Sequence, residues 1–276
     1  MPDDPVIDQP LGGLPLGERV LYQDARLDLV VLEVRFSSTA DHVTDHQAQE
    51  FHAALQQSGM NFEQVVQATQ REFRVDISST DQEASLSETA GWQFRASGNG
   101  SVVLWPHSVA IQTGREYQRW SVSLRPVLEA ALDGIQAVFD PALVQRIGLR
   151  YINRLPHRPD DKNAWEGRIV PSLLGPMRHE VLGSRIRSSQ QQLEIFLEEG
   201  RGAVVRHGTQ PGESGLSDYL LDIDVFDLTA SRFSTADTLV MAQRLNRTAM
   251  ALFQQCVTEK LLTEMRPLPT EDGKTE

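Results

Sequence analysis

Polar and apolar residues alternate along Arg146 to Leu155 (RIGLRYINRL), the pattern of an extended backbone whose successive side chains point to opposite faces. One face of that strand carries Arg146, Gly148, Arg150, Ile152 and Arg154, the other Ile147, Leu149, Tyr151, Asn153 and Leu155. Upstream, the β-branched run Leu29 to Phe36 predicts a strand, and Ser38-Thr39-Ala40-Asp41 offers hydroxyls that can cap a helix. A helix of about five turns is expected from there to Ser58-Gly59. Arg71 to Ser78, Trp92 to Ala96 and Ser101 to Thr113 read as strands, with Ser97-Gly98-Asn99-Gly100 supplying a tight hairpin. Trp120, Leu124, Val127, Leu128, Ala131 and Ile135 recur at helical spacing, so a second helix is expected from Glu116 to Val138, kinked or divided at Pro126.

Beyond the arginine-rich strand, prolines and glycines break residues 156 to 183 into a long irregular connection, a kind of loop that often carries function. Arg185 to Leu197 and Gly202 to His207 then form a hairpin around Glu198-Glu199-Gly200-Arg201, and Asp218 to Thr229 a further strand. A long helix from Thr235 to Met265 closes the pattern, with Ala242, Leu245, Ala249, Leu252, Phe253 and Cys256 on one stripe.

This order predicts an α+β fold: a curved antiparallel sheet packed on long helices, helix-grip-like or built as a duplicated βαβ-type layout. Residues 19–266 are expected to form one compact domain of two halves, 19–140 and 141–266, between flexible segments 1–18 and 267–276. Arg35-Phe36-Ser37-Ser38-Thr39-Ala40-Asp41 is echoed by Arg232-Phe233-Ser234-Thr235-Ala236-Asp237. That echo marks either an ancient duplication or a recurring helix start.

Composition narrows the partners. With 38 acidic against 26 basic residues, the net charge of -12 argues against nucleic-acid binding through bulk charge. Cys256 is the single cysteine, which excludes an intrachain disulfide and a cysteine metal cage and fits a reducing cytosol. No apolar run reaches the roughly 18 residues of a membrane span, and the N-terminus lacks the basic residues of an export signal. A cytoplasmic protein without membrane contact is expected.

The chemistry-bearing candidates are Arg146, Arg150, Tyr151, Asn153 and Arg154. Three guanidiniums on one strand face could grip phosphates or carboxylates through their paired donors. They could equally form a charge ladder with Asp222 and Asp224 of a neighbouring strand. Gly148 leaves room for a ligand or a second backbone, or marks a bulge. Tyr151 and Asn153 fall on the core side, where Asn153 is expected to fix a neighbouring loop or touch a ligand. His42 and His46, four apart on the first helix, have metal-sharing spacing but lie on its solvated side. His157, Asp160, Asp161, His179, Glu180 and His207 could supply acid-base groups, and Cys256 reads as a small buried hydrophobe. No phosphate loop, dinucleotide fingerprint or nucleophile elbow occurs, and no metal or cofactor is expected.

The motif Arg146-Ile147-Gly148-Leu149-Arg150-Tyr151-Ile152-Asn153-Arg154 resembles the signature of a sporadically distributed family of uncharacterised bacterial and archaeal proteins. The likeness extends to Leu32-Glu33-Val34-Arg35-Phe36, Trp92-Gln93-Phe94, Tyr117 with Trp120, Leu220-Leu221-Asp222-Ile223-Asp224, and Leu245-Asn246, Phe253, Val257-Thr258 and Met265. It covers most of residues 20 to 265. No activity comes with it; a patchy distribution implies accessory roles, among them mobile-element or phage-defence loci.

Two functions follow as expectations. One is a non-catalytic binding or regulatory protein that recognises a partner protein or a small anionic ligand, with a homodimer through the C-terminal helix. The other is an enzyme acting on nucleotide or phosphoryl substrates, with Arg150 and Arg154 as anion clamps and His157 or His179 beside them.

Overall fold

The computed structural model describes residues 9–18, 20–76, 83–98, 100–157, 165–212 and 217–268, with backbone alone for 71–76, 83–87 and Ser184. Positions 77 and 78 of the strand expected from Arg71, Asn99 of the hairpin tetrad, Asp160 and Asp161 lie outside the described residues, as do 1–8 and 269–276 of the expected flexible ends.

The strands are β1 (Leu27–Phe36), β2 (Phe62–Asp76), β3 (Glu83–Ala96), β4 (Ser101–Trp105), β5 (Ser108–Thr113), β6 (Leu143–Leu155), β7 (Ser189–Glu198), β8 (Arg201–Pro211), β9 (Ser217–Asp227) and the short β10 (Ser231–Arg232). They form one curved, open antiparallel sheet in the order β2-β3-β4-β5-β1-β6-β9-β8-β7, with β10 paired to the start of β6. Helices α1 (Asp45–Leu55), α2 (Arg125–Phe139), α3 (Pro171–Leu174), α4 (Thr235–Cys256) and α5 (Glu259–Glu264) complete the α+β architecture.

Period-two alternation decides which sheet face meets the helices. Val30, Leu32, Val34 and Phe36 of β1 are fully buried, and so are Leu149 of β6 and Leu221, Ile223 and Val225 of β9. They pack in one core with Leu128, Leu132 and Ile135 of α2 and Leu245, Ala249 and Leu252 of α4. The face carrying Arg146, Arg150 and Arg154 is the opposite one.

Several boundaries differ from the sequence expectation, each for a local reason. α1 starts at Asp45 rather than after Asp41, because Thr44 and Gln47 close a reciprocal capping box. At Pro126 the expected helix falls into two pieces: a π-helical turn at Trp120–Leu124, closed by Arg125 N-H donating to Trp120 O, runs directly into α2, whose first turn holds the proline. Ser101 to Thr113 is two strands, since Pro106 and His107 turn the chain between β4 and β5. The expected tetrad hairpin joins β3 to β4, closed by Ala96 N-H donating to the Gly100 carbonyl at 2.9 Å. The final helix breaks at Val257, and the Thr258 side chain caps α5 by accepting from Leu261 N-H.

The described residues that flank the domain, 9–18 and 267–268, are docked on it. Leu11 is fully buried, its N-H donating to Thr248 Oγ1 at 2.9 Å on α4. Gly12 N-H reaches Glu198 Oε1 of β7 at 3.1 Å, and Glu18 and Gln254 exchange two hydrogen bonds of 2.9 Å. At the other end, Leu268 N-H donates to Leu21 O at 2.8 Å. Apolar Leu11, not the polar average of the segment, fixes it.

The sheet is organised about the seam between β1 and β6. Outward from β1 lie β5, β4, β3 and β2, and outward from β6 lie β9, β8 and β7; in each half the last long strand neighbours the first and a helix follows. Every ladder of the sheet is antiparallel, so the repeated unit is a helix-grip-like strand, helix, antiparallel meander and helix rather than βαβ. The Arg-Phe-Ser echo does not mark equivalent places in this arrangement, because one copy follows β1 and the other precedes α4. Both copies grip the same stretch: Ser37 N-H donates to Leu143 O at 2.9 Å, and Phe233 N-H to Ala142 O at 3.0 Å.

The irregular connection after β6 seals the core beside α4 and α5. Ile169 is fully buried and bridges Val257, and Arg168 pairs with Glu264 at 2.8 Å.

Candidate functional site

The face of the sheet opposite α2 and α4, helix-free among the described residues, holds a lattice of alternating charges centred on β6. Arg150 lies opposite Asp224 in register, yet its Nε and Nη2 both reach diagonally to the two carboxylate oxygens of Asp222, each at 2.7 Å. A planar fork meets a planar carboxylate, the strongest geometry available to this pair. The Arg150 side chain is 42% exposed while that of Asp222 is 2% exposed, so a buried carboxylate holds a guanidinium whose outer edge faces solvent. Asp222 hydrogen bonding raises the Arg150 pKa above its ordinary value. Arg206 of β8 approaches the same carboxylate at 3.6 Å.

Arg146 and Arg154 are engaged on both sides. Arg146 donates to Glu33 of β1, lies 3.9 Å from Asp224, and stands over the Phe226 ring at 5.9 Å from its centroid. Arg154 reaches Asp28 of β1 at 3.1 Å and Asp218 of β9 at 3.4 Å. Asp224 sits with its pKa raised by burial, an effect that Arg146, Arg206 and Arg150 oppose. Gly148 has a concrete role: a Cβ there would run into the Arg146 guanidinium, which lies along the strand above it. Between the charges stand the half-buried apolar side chains Leu29, Val31, Ile152 and Phe226.

Tyr151 and Asn153 face the helices. Tyr151 Oη donates to Asn246 Oδ1 of α4 at 2.7 Å and lies 3.1 Å from Tyr117 Oη. Burial pushes the Tyr151 phenol well above its ordinary pKa, with the neighbouring Tyr117 adding to the rise. Asn153 Nδ2 donates to Leu221 O at 3.3 Å, so it ties β6 to the β9 backbone rather than to a loop. The candidate residues are thereby divided by the sheet: three arginines on one side, Tyr151 and Asn153 on the other.

The histidines do not form one centre. His42 precedes α1 and His46 lies on its first turn 3.7 Å from Glu50, so the two do not share a helical i, i+4 face. His179 Nδ1 accepts from the Val181 and Leu182 N-H groups of its own turn, both at 3.2 Å. His157 packs edge-on against Trp165, and its backbone N-H donates to Asp218 at 3.3 Å. Cys256 is buried and its thiol is pushed up to about 12, which suppresses thiolate chemistry.

His207 is different in kind. It is buried at 3% exposure, with Nδ1 2.8 Å from Tyr219 Oη and Nε2 without a hydrogen-bond partner among the described residues. Burial lowers its pKa. An unfolded imidazole titrates near about 6.5, so below that pH the unfolded chain binds more protons than the folded one. Stability is therefore retained above about pH 6.5 and falls as pH drops towards the lowered folded value. Urea midpoints measured from pH 7.5 to 5.5 should decline for the native protein and flatten in His207→Gln; equal slopes would refute this.

Sequence reasoning named Asp222 and Asp224 but not Glu33, Asp28, Asp218, Arg206 or Phe226. Glu33 stands on the same period-two face of β1 as Arg35, whereas Asp28 joins that face through the register shift between Leu27 and Leu29; neither signal is readable until β1 is known to neighbour β6. No family model matches the chain, and no match was found among curated proteins.

Proposed function

We propose that this chain is a non-catalytic binding protein that recognises a partner protein through the helix-free face of its sheet. The observation that carries the reading is Arg150: a half-exposed guanidinium already oriented by a buried carboxylate, beside Ile152, Val31 and Phe226. Arginine and aromatic side chains among apolar neighbours are the composition of binding hot spots, and a fork held in place loses little side-chain entropy on contact. Because Asp222, Asp224, Glu33, Asp28 and Asp218 offset the arginines, the face suits a mixed-charge protein surface better than a polyanion. Action in the cytoplasm, at an accessory locus of the mobile-element or phage-defence kind, belongs to the same proposal.

The test is in-cell cross-linking in the native host, comparing native protein, the double variant Arg150→Gln with Asp222→Asn, and Gln255→Arg on the exposed side of α4. The double variant keeps a hydrogen-bonded pair of similar shape but removes its charge. One protein captured by the native chain and Gln255→Arg, and lost from the double variant, is expected. Equal capture by all three overturns the reading. So does native mass spectrometry showing a small anion bound one-to-one and lost in the double variant.

A further inference from the structure

We infer that two copies of this chain join through their β7 strands, antiparallel about a two-fold axis perpendicular to the sheet. β7 ends the sheet, so one side of its backbone has no strand beside it among the described residues. Long edge strands in monomers are blunted by lysine, proline or inward charge, since open N-H and C=O groups recruit other strands. The run Ser189-Gln190-Gln191-Gln192-Leu193-Glu194-Ile195-Phe196 has no lysine and no proline. It instead exposes Phe196 at 80% and Leu193 at 40%. Beside Phe196 a groove of about 390 Å³ opens against Phe226 and Val204, over a floor left bare by Gly202.

The strand itself selects the occupant. An isologous antiparallel pair must oppose residues on the same face, so only alternate registers are allowed. Centring on Glu194 sets two carboxylates against each other, which is unfavourable. Centring on Leu193 places that side chain against its own copy, Glu194 against Gln192, Ile195 against Gln191 and Phe196 against Gln190. Every like charge is then avoided, and the most exposed ring is covered by an uncharged side chain. The close approach of Gly12 to Leu197 marks where the free edge stops, which leaves Ser189 to Phe196 for pairing. The expected partner helix is less available: Leu245, Asn246, Arg247, Thr248 and Ala249 of α4 are all buried within the chain.

Cysteine cross-linking tests the register and stands apart from the proposed function, since it needs only the purified protein. Native mass spectrometry at tens of micromolar should show a dimer, strengthened by salt because each copy carries a net charge of -12. Leu193→Cys should form an intermolecular disulfide under mild oxidant at least ten times faster than Val65→Cys on the opposite edge strand. Buried Cys256 stays out of the reaction. Leu193→Lys, at an exposed position, should fold and be monomeric. A monomeric native protein overturns the inference, as does a dimer in which Leu193→Cys cross-links no faster than Val65→Cys.

Discussion

Replacing Arg150 by alanine should lower the free energy of unfolding by about 2–3 kcal/mol, far above the usual yield of a surface ion pair. The cost comes less from the lost bond than from what is left behind. Asp222 is 2% exposed and, among the described residues, would keep Arg206 alone, 3.6 Å away. A buried carboxylate deprived of its bidentate donor bears its desolvation without compensation. The figure stays below that of a fully buried pair because the Arg150 side chain is 42% exposed and water can partly replace it. Arg150→Gln with Asp222→Asn should recover most of the loss, since two amides can bond where the ions did. Chemical denaturation of the two single variants and the double completes a cycle. A loss under about 0.5 kcal/mol for Arg150→Ala would reduce the pair to an ordinary surface contact.

Leu11→Ala should cost about 3 kcal/mol, within the range for truncating a fully buried leucine. Leu16, 59% exposed in the same segment, provides the control: Leu16→Ala should stay within about 0.5 kcal/mol. Thermal melts and limited proteolysis of both variants decide the matter. Leu11→Ala should also speed cleavage between residues 9 and 18. Equal melts for the two variants would mean that the segment contributes nothing to the fold.

What the sequence made legible follows from the reach of each signal. Alternation placed Arg146, Gly148 and Arg150 opposite Leu149 and Tyr151, and β6 is built that way. Asp222 and Asp224 are legible as candidate partners of the arginine row because both strands alternate in the same sense. The hydroxyls of Ser38-Thr39-Ala40-Asp41 carry a common helix-start signal, whereas the capping box at Thr44 is decided by Gln47 three residues on. A ladder with Asp222 and Asp224 misses the partners that Arg154 has, Asp28 of β1 and Asp218 of β9, because strand adjacency and register are properties of topology and not of local pattern. Leu11 is hidden for a related reason: three leucines among prolines and glycines, Leu11, Leu14 and Leu16, show neither helical nor strand period, and only the slot beside Thr248 singles Leu11 out.

The seam between β1 and β6 also governs how the chain reaches this state. Its contacts join residues such as Glu33 and Arg146, separated by 113 positions. The β2–β3 and β7–β8 hairpins close over short loops and can pair early. The two central strands must wait until a long loop has been drawn in, and contacts of high sequence separation slow folding more than they weaken the folded state. The two half-sheets are therefore expected to pair before the middle of the sheet closes, each with an open strand edge along β1 or β6. Refolding yield should then be set by concentration during that interval, when the edge of one molecule can meet the edge of another before its own chain closes the gap.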